Sequence, residues 1–360
     1  MKKNLSAEAH LHALSLLVFC PQRSAEAVHH VARLDQAGRE EFFRLADVHH
    51  VVIRALQPLA REAAAGGQPE LATLAQVALN QEQERIAKAV AALERVCVEL
   101  EAADCPVAVL KTLDHWPDFG NDIDLITMAD ERRIESVFLH RLNGRRLGRS
   151  VADHLAHKRS FELEGLRETV EIHIGRVGQA GEHIGLARRF LNRRVPAKFN
   201  GNTFLLPAPE ERIIEGTLER MYRHLYFRIC DIRDTAQMVE SGSLDYKELR
   251  AAADLGGIWA GVATYLRITS EYVREYRGTD LHLPREVLAA ARFGSDKMIA
   301  RSKYLWVPIL PQSFALFAKQ FAQLVRSGNV SATARLSLLP PLASMAVLAY
   351  AVGANSERIW

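Results

Sequence analysis

Apolar residues recur at three- and four-residue spacing along the first hundred positions, change to short β-type runs over the next hundred, and then resume helical spacing. "REEFFRLADVHHVVIRALQPLAREAA" (39–64) reads as an amphipathic helical run that Gly66-Gly67 stops. "NQEQERIAKAVAALERVCVELEAAD" (80–104) predicts another helix, rich in alanine and glutamate, with Asn80 as its N-cap. The period shortens at Cys105. "PVAVLK" and "DIDLIT" read as strands, "SFELEGL" followed by "ETVEIHIG" as a hairpin, and "NTFLLP" as a further strand. Between them "ADERRIESVFLHRL" reads as a helix with Asp130 near its start. From "PAPEERIIEGTLERMYRHLYFRICDIRDTAQMVES" (207–241) onward the pattern is helical, with Pro209 in a first turn. The expected plan is α+β: a helical region over 1–103, a small α/β core with a mixed sheet over 104–208, and a helical region over 209–360.

Composition narrows the function classes. In 360 residues nearly half are apolar and a quarter charged, as in ordinary globular proteins. A formal net charge of +3 gives no indication of non-specific nucleic-acid binding. Cys20, Cys97, Cys105 and Cys230 lack C-x-x-C spacing and read as reduced thiols of a cytoplasmic protein. "AHLHALSLLVFC" (9–20) reads as a helix rather than a signal peptide. "LSLLPPLASMAVLAYAVGAN" (336–355) carries no charge, but Pro340 and Pro341 break it. The remainder, Leu342 to Ala354, is too short to cross a bilayer and reads as a core helix or a partner surface.

The chemistry concentrates where polar residues invade the strands. Side chains alternate along a strand, so in "NDIDLIT" Asp122 and Asp124 share one face while Ile123 and Leu125 take the other. In "TVEIHIG" Val170, Ile172 and Ile174 form a core face, and Glu171 and His173 share its opposite. If the two strands are neighbours, three carboxylates converge and raise one another's pKa unless cations neutralise them. Hard divalent ions with oxygen ligands, Mg²⁺ above all, are the natural partners. Two such ions about 4 Å apart clamp the entering and leaving oxygens of a phosphoryl or nucleotidyl transfer. A solvated strand face is the plainer account of Asp122 and Asp124 taken alone.

The order of elements resembles the DNA polymerase β-like nucleotidyltransferase superfamily, in which a strand and turn precede a D-x-D strand and a third acid follows. The nearer resemblance is to a bacterial group of uncharacterised nucleotidyltransferases, with "LLKG", a loop, "R…GDIDLLV", then "V-[DE]-[LIV]-H-W". Here "VLKT" (109–112), "GNDIDLI" (120–126) and "VEIHIG" (170–175) stand at those places, and similar helical flanks extend the likeness over roughly residues 40–250. The resemblance implies that Asp122, Asp124 and Glu171 are catalytic and hold Mg²⁺ or Mn²⁺. It further implies that Lys111, Thr112 and Asn121, with the loop backbone, hold the triphosphate. His173 would orient Glu171 or contact substrate; a strand histidine satisfied by backbone is the alternative. Asp231 and Asp234 in "ICDIRD" would contact nucleotide, or else form helix-surface ion pairs with Arg228 or Arg233. The implied reaction moves a nucleoside monophosphate from ATP or another NTP to an acceptor hydroxyl on a small molecule, protein or RNA. Thr112 stands where the group has glycine, the loop reads "HWPDFGN" without the group's arginine, and Ile174 replaces its tryptophan. These departures favour a catalytically silent, nucleotide- or partner-binding protein of the same fold as the second reading.

The basic runs "RLNGRRLGR" (141–149) and "ARRFLNRR" (187–194) offer positive charge for triphosphate or RNA, or form solvated faces. His29-His30, His49-His50, His154 and His157 do not form a zinc ligand pattern, and no P-loop, G-x-G-x-x-G or G-x-S-x-G stretch occurs.

Overall fold

In the computed structural model the described residues are 2–301 and 303–340, with side chains from residue 7 onward. The chain opens with α1 (Lys2–Phe19), α2 (Ser24–Ala32), α3 (Gln36–Val48), α4 (Val52–Ala65) and α5 (Pro69–Glu101). Asp35 starts α3 by accepting the Gly38 N–H at 2.8 Å. The run 39–64 is two helices rather than one. His50 adopts φ +49°, and the His49–Val51 segment turns the chain between α3 and α4. Asn80 is not a cap either. It lies inside the continuous α5, where its side chain accepts from Gln76 one turn earlier. Burial of Leu71, Ala75, Leu79, Ile86, Val90 and Leu93 along one stripe carries α5 through that position.

The sheet follows. β1 (Val107–Val109) and β2 (Asp122–Thr127) lead through α6 (Glu131–His140) to β3 (Arg145–Arg146) and α7 (Val151–Ala156). β4 (Lys158–Glu162) and β5 (Thr169–Ile174) complete a mixed five-stranded sheet in the order β1-β2-β5-β4-β3. Only β2 and β5 run parallel, with Asp122 opposite Thr169 and Asp124 opposite Glu171. Ile123, Leu125, Val170 and Ile172 are wholly buried, which fixes the register, because a one-residue slip would turn these apolar side chains toward the polar face. Asp130 caps α6 as expected, accepting the Arg132 N–H. After α8 (Ile184–Asn192), β6 (Arg194–Phe199) and β7 (Asn202–Pro207) form a separate hairpin.

The expected helical run 207–241 is interrupted. α9 (Pro209–Thr217), with Pro209 in its first turn, widens into a π-helical turn over Leu218–Arg223. Leu225 then takes φ +57°, and β8 (Tyr226–Phe227) pairs far along the chain before α10 (Ile229–Glu240) begins. α11 (Tyr246–Gly256), α12 (Trp259–Arg277) and α13 (Arg285–Ala290) follow. β9 (Ile299–Arg301) and β10 (Tyr304–Trp306) form a three-stranded sheet with β8, and α14 (Phe314–Arg326) and α15 (Val330–Leu336) close the described chain. Among the described residues no helix is long and apolar enough to cross a membrane. Leu342 to Ala354 lies outside them.

Candidate active site

The β2–β5 pair sets the floor of a cleft of about 210 Å³. Asp122, Asp124 and Glu171 all line it. Ligand atoms of Asp124, Glu171 and His173 lie within 4.8 Å of one another, while Asp122 stands at the exposed end of the same strand face. Burial and the neighbouring charges of Asp124 and Glu171 push the Asp122 carboxyl up to about 6. Burial pushes Asp124 the same way, but Lys111 and Lys158 win and hold it well below the usual carboxylate range. His173, buried behind the acids and next to Lys158, is pushed down to about 4 and is a neutral ring at neutral pH. Its Nε2 is 3.7 Å from Asp124 Oδ1, too far for a hydrogen bond, so both ring nitrogens and that oxygen are buried without hydrogen-bond partners.

The side chains around these acids come from elements far apart in sequence. Lys158 begins β4 across from His173, and its ammonium donates to Glu171 Oε2 at 2.9 Å. Lys111 follows β1 and points at Asp124 (3.4 Å) and Glu219 (3.6 Å), so its charge is engaged within the protein. Thr112 is buried beside it. Its hydroxyl accepts the Asp124 N–H at 2.8 Å and donates to the Asp122 carbonyl at 3.3 Å, tying the turn to the D-x-D strand. Thr112 thus has a structural role of its own. Asn121 is exposed at the rim.

The facing wall is the π-helical turn and the start of α10. Glu219 gathers Lys111, Arg223 (2.9 Å) and His224 (3.0 Å), and Arg220, Arg223 and Arg228 complete the lining. The loop before β2 lacks an arginine, and these distant arginines supply the positive charge instead. None was singled out by the sequence as a cleft residue. The only signal for Lys158 was its place on the Glu171 face once the hairpin register is known.

Asp231 and Asp234 do not line this cleft. Asp231 accepts the Arg228 N–H at 2.6 Å and pairs with Arg220 at 2.8 Å. Asp234 pairs with Arg54 (2.6 Å) and with His115 Nδ1 (2.6 Å). Both acids are buried, not on a helix surface, and neither takes Arg233 as partner. The basic runs are likewise engaged elsewhere. Arg145 pairs with Glu162, Arg146 with Glu135, Arg189 and Arg193 with Glu211 and Glu248, and Arg194 with Glu101. His49 and His50 sit in the α3–α4 break rather than on a helix. His49 Nδ1 accepts the Ile229 N–H at 2.9 Å, and His50 stacks on His115.

The parallel β2–β5 pair thus carries the D-x-D acids and a third acid into a cation-walled cleft. Residues 35–274, 240 of the 360, match the family described as "Uncharacterised nucleotidyltransferase", and the chain belongs to that family. A nucleotidyltransferase-like antigenic protein from Paracoccidioides brasiliensis is similar to it in crystal structure at 18% identity and a TM-score of 0.30, covering 47% of this chain and 85% of that one. No curated protein matches the chain.

Proposed function

We propose that the cleft transfers a nucleoside monophosphate from a nucleoside triphosphate to an acceptor hydroxyl, in the presence of Mg²⁺ or Mn²⁺. The observation that carries the proposal is the meeting of Asp122, Asp124 and Glu171 on one face of the β2–β5 pair. The residues fit a divalent ion: Asp124 Oδ1 is buried without a hydrogen-bond partner, and Glu171 offers an oxygen within 4.8 Å of it. Asp122, Asp124 and Glu171 would hold the ion. Bound there, it would polarise the phosphoryl group and favour the ionised hydroxyl.

The remaining work falls to the protein. Arg223 and Arg228 supply planar, multiply donating cations to phosphate oxygens. Lys111 keeps Asp124 ionised, and Thr112 fixes the strand that carries it. The acceptor oxygen forms a bond to the α-phosphorus as the bond to the bridging oxygen breaks, the hydroxyl proton passes to solvent water, and pyrophosphate leaves with the bridging oxygen.

A second reading has its own observation. Lys158, buried, pairs with Glu171 at 2.9 Å, and Lys111 faces Asp124, so two of the three acids have cations without metal. That pattern favours a silent nucleotide-binding protein. Calorimetry with Mg²⁺ and each NTP, followed by a pyrophosphate-release assay, separates the two. Release by the wild type, falling on the order of a thousandfold in Asp124→Asn, is the expected result. Binding without release leaves the silent reading standing and removes the enzymatic one.

A further inference from the structure

Immediately behind the cleft lies a group of side chains that the nucleotidyl-transfer proposal does not use. His115 comes from the loop between β1 and β2, and Cys230, Asp231 and Asp234 come from the first half of α10. The geometry points to a second metal site, for zinc or a similar borderline-soft divalent ion, in which Cys230 and His115 are ligands, Asp231 adds an oxygen and Asp234 orients the imidazole.

Cys230 and Asp234 are four apart on α10 and therefore share a face. His115 Nδ1–H donates to Asp234 Oδ2 at 2.6 Å, which in the neutral ring leaves the lone pair on Nε2. That nitrogen is 3.9 Å from Cys230 Sγ, and Asp231 Oδ1 is 3.9 Å from the same sulfur. Ligands bound to zinc at about 2.3 Å for sulfur and 2.0–2.1 Å for nitrogen stand roughly 3.5 Å apart in a tetrahedron, so a contraction of a few tenths of an ångström brings Cys230 Sγ to that separation from His115 Nε2 and from Asp231 Oδ1. Asp234 plays the outer carboxylate that fixes a metal-bound histidine, and Arg54 holds its other oxygen at 2.6 Å.

One ligand atom from each of His115, Cys230 and Asp234 lies within 4.8 Å of the others, and a cavity of about 30 Å³, lined by His115, Asp231 and Asp234 but also by Lys111, Arg212 and Arg220, adjoins them without reaching Cys230. His115 lines both this cavity and the cleft, as do Lys111, Glu219 and Arg220. The surrounding arginines are already matched: Arg220 with Asp231, Arg54 with Asp234, Arg228 with His50. The cleft floor offers mainly hard oxygens, whereas sulfur and imidazole nitrogen select a softer ion.

A nucleophilic role for the same residues fits less well. Cys230 is wholly buried, and burial with Asp231 and Asp234 beside it pushes the thiol well above its ordinary range. A metal ion reverses that preference by taking the place of the thiol proton, one proton being released for each ion bound.

The test uses the full chain, stripped with chelator and titrated with Co²⁺. The expected result is near-ultraviolet thiolate-to-cobalt absorption that saturates at one equivalent and is displaced by Zn²⁺. Cys230→Ser abolishes it, Asp234→Asn weakens binding on the order of 10–100-fold, and Asp124→Asn leaves it intact. Among the described residues the other such ligand grouping, Asp124, Glu171 and His173, contains no sulfur, so the signal reports on this site irrespective of nucleotide turnover. Should Cys230→Ser fail to fold, X-ray absorption of the zinc-loaded wild type decides by a sulfur neighbour at about 2.3 Å. A zinc shell without sulfur, or cobalt absorption unchanged in Cys230→Ser, overturns the inference.

Discussion

Asp122 and Asp124 are one residue apart on the same strand face, yet their protons are held in opposite ways. The charges of Lys111 and Lys158 hold Asp124 ionised; burial and the neighbouring Asp124 and Glu171 carboxylates push Asp122 up to about 6. A carboxyl raised on folding stabilises the fold fully below its unfolded value of 3.8, and that contribution is lost as pH rises through about 6. A divalent ion needs the ionised form, so it restores above that pH what electrostatic repulsion removes. Thermal unfolding with and without Mn²⁺ should therefore show little metal-induced rise in Tm at pH 5 and a growing rise from pH 6 to 7. Asp122→Asn should flatten that dependence; a Tm gain equally large at pH 5 would contradict the metal-binding role of Asp122. These acids were legible because period-two alternation places them without any tertiary information. Glu219, Arg220 and Arg223 were not, because a π-helical turn re-aims side chains that a regular helix would have spread around its axis.

At the scale of elements, the loop before β2 matters most, because it sets where the D-x-D strand begins. Three anchors hold it. Asp118 accepts the Ile53 and Arg54 N–H groups at the start of α4, Arg212 pairs with Asp114 at 2.7 Å, and Arg85 of α5 donates to the carbonyls of Phe119 and Gly120. Arg85 also pairs with Glu82 and with the buried Glu168 just before β5, so one guanidinium ties the entrances of both site-bearing strands to α5. Arg85→Ala leaves Glu168 buried and unpaired and should cost about 3–5 kcal/mol in urea unfolding. It should weaken nucleotide binding as well, while Arg85→Lys, which keeps the charge but loses the fork, should fall between. Loss of stability with unchanged nucleotide affinity would separate the anchor from the cleft. β1, β2, β4, β5, β7 and α6 were readable from local pattern; β3, β6, β9 and β10 and the breaks were not. His49-His50 looks helical in sequence. It ends α3 because its rings serve partners from distant parts of the chain: the Ile229 amide, the Lys303 carbonyl and His115. Tertiary partners of that kind override propensity. β8 is hidden for the same reason, its pairing partner being β10 almost eighty residues later.

The whole molecule is joined by a buried polar chain as well as by its core. The apolar cluster runs without interruption from Leu11 of α1 through the sheet to Leu316 of α14. Through it passes Arg54 of α4, which reaches Asp118 of the loop at 3.8 Å, Asp234 of α10 at 2.6 Å and the Trp116 carbonyl at 2.7 Å. One side chain from the N-terminal helices thus fixes both the approach to β2 and the helix behind the cleft wall. Removing it takes the guanidinium from two buried carboxylates; burial already pushes Asp118 up to about 7, and loss of the guanidinium that opposes this would raise it further. Arg54→Ala should therefore lose about 3–5 kcal/mol at neutral pH. Part of that loss should be recovered as pH falls below 7 and Asp118 takes up a proton in the folded state, which is the sign expected for a raised carboxyl. Because the contact joins parts far apart in sequence, the urea transition should shift to lower concentration with its slope unchanged. A transition that instead splits in two would mean that the N-terminal helices and the cleft-bearing regions unfold independently, and that Arg54 bridges separable units instead of bracing one.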